Sequence, residues 1–73
     1  MTRSIRTKEY AYFVERLQKA RHEAGLTQVQ VAKKLNRPQS HISNVESGQQ
    51  RVDVVELQVF AKIYNKNLNY FIK

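Results

Sequence analysis

The chain has 73 residues and no cysteine, and its 13 Lys and Arg against 6 Asp and Glu give a net charge of +7. This length predicts a single domain over residues 1–73. Disulfides are excluded because there is no cysteine, and we expect no metal or cofactor because His22 and His41 are not clustered. The charge favours a polyanionic partner, nucleic acid before an anionic membrane surface. Since no apolar run approaches about 20 residues and the N-terminus lacks a leader's apolar core, we expect a cytoplasmic protein without a membrane partner.

The predicted fold class is all-α, a compact bundle of about five short helices. Residues 1–6 form a basic arm, and Thr7 can cap a first helix that runs to about Ala24, where Gly25 stops it. Apolar residues on this helix follow the three-four spacing of one buried face, at Tyr10, Phe13, Val14, Leu17, Ala20 and Ala24.

The second and third helices are short and closely spaced. Thr27 and Gln30 form a capping box at the start of the second, which ends near Asn36, a residue that tolerates the left-handed conformation. Pro38 then begins a third helix over Gln39–Ser47, and Gly48 ends it. The inward-facing residues of the two helices are Val31, Ala32, Leu35, Ile42 and Val45.

The rest of the chain predicts two more helical segments. Asp53 and Glu56 match a second capping box, which opens a fourth helix to about Tyr64. Its predicted core stripe is Val54, Leu57, Phe60, Ala61 and Tyr64. Residues Leu68–Ile72 form a final short helix or a single helical turn.

The second and third helices with their tight turn indicate a helix-turn-helix, in which Ala32 allows the two helices to cross closely. The outer face of the third helix carries only short, uncharged hydrogen-bonding side chains, namely Gln39, Ser40, Ser43 and Asn44. A helix face built for solubility more often carries Lys and Glu, whereas amides and hydroxyls can pair with base edges in the major groove. The sequence therefore predicts base contacts by these four residues to double-stranded DNA.

Two segments, Leu26-Thr-Gln-Val-Gln-Val-Ala-Lys-Lys-Leu35 and Gln39-Ser-His-Ile-Ser-Asn-Val-Glu-Ser-Gly48, resemble the phage-repressor and Cro-like (XRE-type) helix-turn-helix family. The resemblance implies a lambda-repressor-like domain in which Gln28 binds a phosphate and orients Gln39. It also implies a structural ion pair between Arg21 and Glu46. Asn36, Pro38 and His41 depart from the family pattern, which leaves the base preference open.

Further phosphate contacts are expected from basic residues beside the motif. Arg37 in the turn and Arg51 in the following loop are the main candidates. His41 could contact a phosphate or a base, or point to solvent. Arg3 and Arg6 in the N-terminal arm could follow the DNA backbone or fray.

The fourth helix is more apolar than one buried face requires. An extra row at Val55, Val59 and Ile63 is either covered by Tyr70 and Ile72 of the same chain or joins them in a homodimer interface. We expect the dimer, and with it an inverted-repeat operator.

These features predict a small transcriptional regulator that binds double-stranded DNA sequence-specifically and acts as a repressor. The alternatives are an antitoxin or a restriction-modification controller with the same DNA-binding site, or a helical protein-interaction module. No nucleophile–base pair, carboxylate pair or phosphate-binding loop is visible, so neither enzyme activity nor a small-molecule ligand is expected.

Overall fold

The computed structural model describes residues 7–72, which form four α-helices and one turn of 3₁₀-helix. The helices are α1 (Lys8–Glu23), α2 (Gln28–Leu35), α3 (Gln39–Glu46) and α4 (Val54–Tyr64), and the 3₁₀ turn is Leu68–Tyr70. The all-α class is confirmed, but the predicted count of five helices is one too high. The last segment is a single 3₁₀ turn, the shorter of its two predicted forms, and the next residue, Phe71, is buried in the core. The predicted basic arm, with Arg3 and Arg6, lies outside the described residues.

Local side-chain signals set most of the helix boundaries. The hydroxyl of Thr7 accepts a hydrogen bond from the amide of Tyr10 at 3.0 Å and starts α1. Thr27 and Gln30 form the reciprocal capping box at the start of α2, with bonds of 3.1 and 2.8 Å. Asn36 ends α2 in the left-handed conformation at φ 59°. These are the boundaries that local chemistry predicts.

The core lies where all four helices meet. Its fully buried side chains come from α1, α2, α3, α4 and the C-terminal segment and include Leu17, Val31, Ile42, Val45, Phe60 and Phe71. Val54 does not join it, contrary to the predicted core stripe of α4, because 64% of this residue is exposed in the first turn of that helix. Ala24, predicted as the end of the buried face of α1, is also exposed.

The cap of α4 differs from the predicted reciprocal box. The carboxylate of Asp53 accepts a hydrogen bond from the amide of Glu56 at 2.8 Å, as predicted. The carboxylate of Glu56 contacts His41 on α3 instead of turning back to the backbone of Asp53. A partner distant in sequence has therefore replaced one half of the local motif.

Tyr64 has a buried hydroxyl without a hydrogen-bond partner among the described residues. Burial raises the pKa of Tyr64, the charge of Glu46 raises it further, and the charge of Arg21 opposes the shift. An unfolded tyrosine ionises near pH 10. Because the folded state resists this ionisation, stability is retained below that pH and is lost as pH rises above it.

We expect Tyr64→Phe to be at least as stable as the wild type at pH 7, since it removes an unpaired buried hydroxyl. Above about pH 10 the wild type should lose stability relative to the variant by roughly 1.4 kcal/mol per pH unit. Urea unfolding of both proteins from pH 7 to pH 11 measures this difference. Parallel curves over the whole range would show that Tyr64 ionises equally easily in both states.

Candidate nucleic-acid interface

The packing of α2 against α3 exposes one face of α3. Ala32 is 3% exposed and Ile42 and Val45 are fully buried, so small and aliphatic side chains fill the corner between the two helices. The opposite side of α3 carries exposed, uncharged polar residues, namely Gln39, Ser40, Ser43 and Asn44. The structure therefore places all four predicted base-contacting residues on one accessible surface of a single short helix.

A buried ion pair fixes α3 to α1. The guanidinium of Arg21 donates to both carboxylate oxygens of Glu46, from Nε at 2.8 Å and from Nη2 at 3.0 Å. Glu46 is only 6% exposed, and its bond to Arg21 raises the pKa of the guanidinium. Arg21 also donates to the carbonyl of Leu26, and Gln18 donates to the carbonyl of Glu46 at 2.6 Å. Bidentate pairing of this kind holds both partners in one geometry.

Gln28 connects this ion pair to the exposed face of α3. Its amide nitrogen donates to Oε1 of Glu46 at 3.1 Å, and its amide oxygen accepts from Nε2 of Gln39 at 3.4 Å. Sequence reasoning anticipated contact between the two glutamines but missed the bond to Glu46. The three residues form a continuous chain of hydrogen bonds, which we call the amide relay, from the buried carboxylate to the surface.

The basic residues of the turn and of α3 share an acidic partner. Nε2 of His41 lies 3.1 Å from each carboxylate oxygen of Glu56, and the side chain of His41 is only 10% exposed. Nη2 of Arg37 lies 3.5 Å from the same carboxylate, but half of the Arg37 side chain is exposed. His41 is thus turned towards α4, whereas Arg37 remains accessible. Sequence reasoning did not predict Glu56 as the partner of His41 and Arg37, because Asp53 and Glu56 match the pattern of a helix cap.

Arg51 lies in the loop between α3 and α4. Its guanidinium carbon is 4.1 Å from the centre of the Tyr10 ring, and the residue as a whole is exposed. A cation held over an aromatic face has a restricted position. Sequence reasoning placed Arg51 in this loop but gave no sign of Tyr10 as its support.

The five residues predicted for a dimer interface are not all exposed. Val55 is 67%, Val59 is 38% and Ile72 is 57% exposed. Ile63 packs partly against the core. The ring of Tyr70 lies between the cations of Arg16 and Lys66, and its hydroxyl donates to Glu23. Tyr70 therefore serves contacts within the chain, whereas Val55 stays largely exposed and Val59 partly so.

Within residues 7–72, no group of acidic and histidine side chains could hold a metal ion. No helix in the same range is both long and apolar enough to cross a membrane.

Two short helices joined by a tight turn, with the second presenting a polar face, define a helix-turn-helix domain. A family model described as a helix-turn-helix domain matches residues 13–65. Among solved structures, the chain is similar to an XRE-family like protein from Pseudomonas syringae pv. tomato str. DC3000. The two are 36% identical with a TM-score of 0.75, over 80% of this chain and 71% of that one.

A second similar structure is the restriction-modification controller protein C.AhdI from Aeromonas hydrophila. The identity is 25% and the TM-score 0.77, over 86% of this chain and 96% of that one. No curated protein sequence matches the chain. The chain belongs to the XRE-type helix-turn-helix family, whose members are DNA-binding regulators.

Proposed function

We propose that this protein binds a specific double-stranded DNA sequence by inserting α3 into the major groove, and that it acts as a transcriptional repressor. The observation that carries the proposal is the exposed face of Gln39, Ser40, Ser43 and Asn44. Amides and hydroxyls match the donor and acceptor pattern of base edges, whereas they add little to nonspecific attraction for phosphate. Such a function would place the protein in the compartment that holds the DNA, here expected to be the cytoplasm.

Phosphate contacts would come from residues around this face. Arg37 and Arg51 are exposed on either side of α3 in the chain, and Gln28 lies at the N-terminal end of α2, where the helix dipole favours an anion. His41 would have to leave Glu56 before it could bind a phosphate. We therefore assign the positioning contacts to Gln28, Arg37 and Arg51, and assign His41 to the link between α3 and α4.

Fluorescence anisotropy tests the proposal, with a duplex enriched by selection from random DNA and a shuffled duplex of equal composition. We expect the enriched duplex to bind at least about 10³-fold more tightly, and log affinity to fall linearly with log salt concentration. Equal affinity for both duplexes would contradict sequence-specific binding. Absence of binding to either would favour a protein-interaction module.

We further propose that the protein acts as a homodimer on an inverted repeat. Val55 and Val59 line one shallow groove on α4, and Val54 and Ile72, which are 64% and 57% exposed, line a second groove of about 410 Å³. Apolar residues clustered on the surface of a small domain favour burial against a second copy. We call Val54, Val55, Val59 and Ile72 the apolar patch.

Sedimentation at micromolar concentration tests this assembly. A dimer would set the two α3 helices about 34 Å apart, one turn of DNA, and the selected sequence should then be an inverted repeat. A strict monomer, both with and without DNA, would exclude the dimer.

The second candidate function is control of a restriction-modification system. It is favoured by the similarity to C.AhdI, whose whole length is nearly covered. Both candidates use the same face of α3, so they differ in the genes that the protein regulates. Mapping the selected sequence onto the source genome separates them: a site beside restriction and modification genes favours the controller.

A further inference from the structure

The amide relay has a direction that the buried carboxylate imposes. A carboxylate accepts hydrogen bonds and cannot donate them, so Gln28 has to turn its NH₂ group towards Glu46, as it does at 3.1 Å. The amide oxygen of Gln28 then faces outwards. Gln39 has to offer an N–H to that oxygen, which is the arrangement found, with Nε2 3.4 Å from it. Each link in the relay determines the orientation of the next.

The orientation of Gln39 decides what it offers to a base. With one N–H engaged by Gln28, the exposed amide presents its oxygen as an acceptor and its second N–H as a donor. This pair matches adenine, which shows an N6–H₂ donor and an N7 acceptor in the major groove. If the amide were reversed, it would present its NH₂ group alone, which suits the two acceptors of guanine, O6 and N7.

Contacts other than the one with Gln28 hold the carboxylate of Glu46 in place. Arg21 donates to both carboxylate oxygens of Glu46, so the carboxylate does not rotate to follow Gln28. Glu46 is also 6% exposed and therefore sits where water competes weakly for its hydrogen bonds. The buried end of the relay is thus fixed, and Gln39, at its other end, is the member that would face the bases.

We propose that Glu46 is a positioning residue for sequence recognition: through Gln28 it orients the amide of Gln39 so that this residue prefers adenine to guanine. The inference rests on the proposed function, since it requires Gln39 to contact a base. Glu46 is buried and would not touch DNA, yet it would influence the base preference at one position of the DNA site.

The test uses the base pair whose preference Gln39→Ala removes, and compares duplexes that carry adenine or guanine there. The ratio of their dissociation constants is measured for the wild type, Glu46→Gln and Gln28→Met. Glu46→Gln keeps the shape of the side chain but can donate, so the relay can reverse; Gln28→Met interrupts the relay and keeps the Arg21–Glu46 pair. We expect both variants to reduce the guanine-to-adenine ratio of dissociation constants about five- to tenfold, the equivalent of roughly one hydrogen bond.

Gln18→Met is the matched control, because it removes a hydrogen bond to Glu46 that lies outside the relay. It should leave the ratio unchanged. Because Gln28 is also a proposed phosphate contact, Gln28→Met should weaken both duplexes to some extent, and only their ratio tests the relay. If Gln28→Met leaves this ratio unchanged, the relay does not position Gln39 and the inference is wrong, even where Glu46→Gln fails to fold. If the wild type shows no preference at any base pair, the proposed function itself fails, which is a different result.

Discussion

Replacing Glu46 by Ala is expected to lower the free energy of unfolding by about 3–5 kcal/mol, because it leaves the guanidinium of Arg21 without its buried partner. The change also removes an acceptor of Gln28. A domain of this size is stable by only about 4–11 kcal/mol, so the melting temperature should fall by about 12 °C or more. Thermal unfolding followed by circular dichroism measures this shift.

Glu23→Ala is the control for this prediction. Glu23 pairs with Lys66 at 2.8 Å, but the pair lies at the surface, where water and salt weaken it. We expect its melting temperature to stay close to that of the wild type. The double substitution Arg21→Met with Glu46→Met should recover much of the stability lost in Glu46→Ala, since it leaves no unpaired charge. Similar melting temperatures for Glu46→Ala and the wild type would contradict a structural ion pair.

Replacing both Val55 and Val59 by Ser is expected to abolish the dimer and to weaken binding to the inverted repeat by 10²-fold or more. Complete burial of an exposed valine contributes about 1.5 kcal/mol, Val59 at 38% exposure contributes less than Val55 at 67%, and a twofold axis repeats every contact. Without the dimer, the two half-sites no longer bind as one unit, and the effective concentration that links them is lost. Affinity for an isolated half-site should not change.

The matched control is Val29→Ser, which replaces a valine that is 47% exposed on α2, outside the apolar patch. Sedimentation and anisotropy on the inverted repeat and on a single half-site measure the effect. If the double variant remains a dimer, the interface lies elsewhere. If it becomes monomeric and binds the inverted repeat as tightly as the wild type, the two copies do not cooperate on DNA.

The parts of the fold that local chemistry determines could be predicted from the sequence. The caps at Thr7 and Thr27 and the left-handed Asn36 depend on neighbours within four residues. The burial of Phe71 was less predictable, because this residue packs into a core built from residues distant in the sequence. Val54 was placed wrongly for the same reason: its spacing matches the buried stripe, but no described part of the chain covers it.

The features of the candidate site also differ in whether the sequence predicts them. The polar face of α3 can be deduced from residue type and helical spacing alone. The partner of His41 could not, because the Asp53–Glu56 pattern has a local explanation and the true contact spans 15 residues. Nor could the relay, since its direction depends on a carboxylate that only tertiary packing brings to Gln28. At this site, the contacts of Glu46 with Gln28 and of Glu56 with His41 are what sequence reasoning missed.

The most direct test of whether the exposed face of α3 reads DNA sequence is selection from random DNA. It is carried out with the wild type and with Gln39→Ala. We expect both proteins to enrich related sequences, with the variant losing preference at one or two base pairs per half-site. Its affinity for the wild-type sequence should fall by about 1–3 kcal/mol. Identical enriched sequences and equal affinities for the two proteins would contradict the claim.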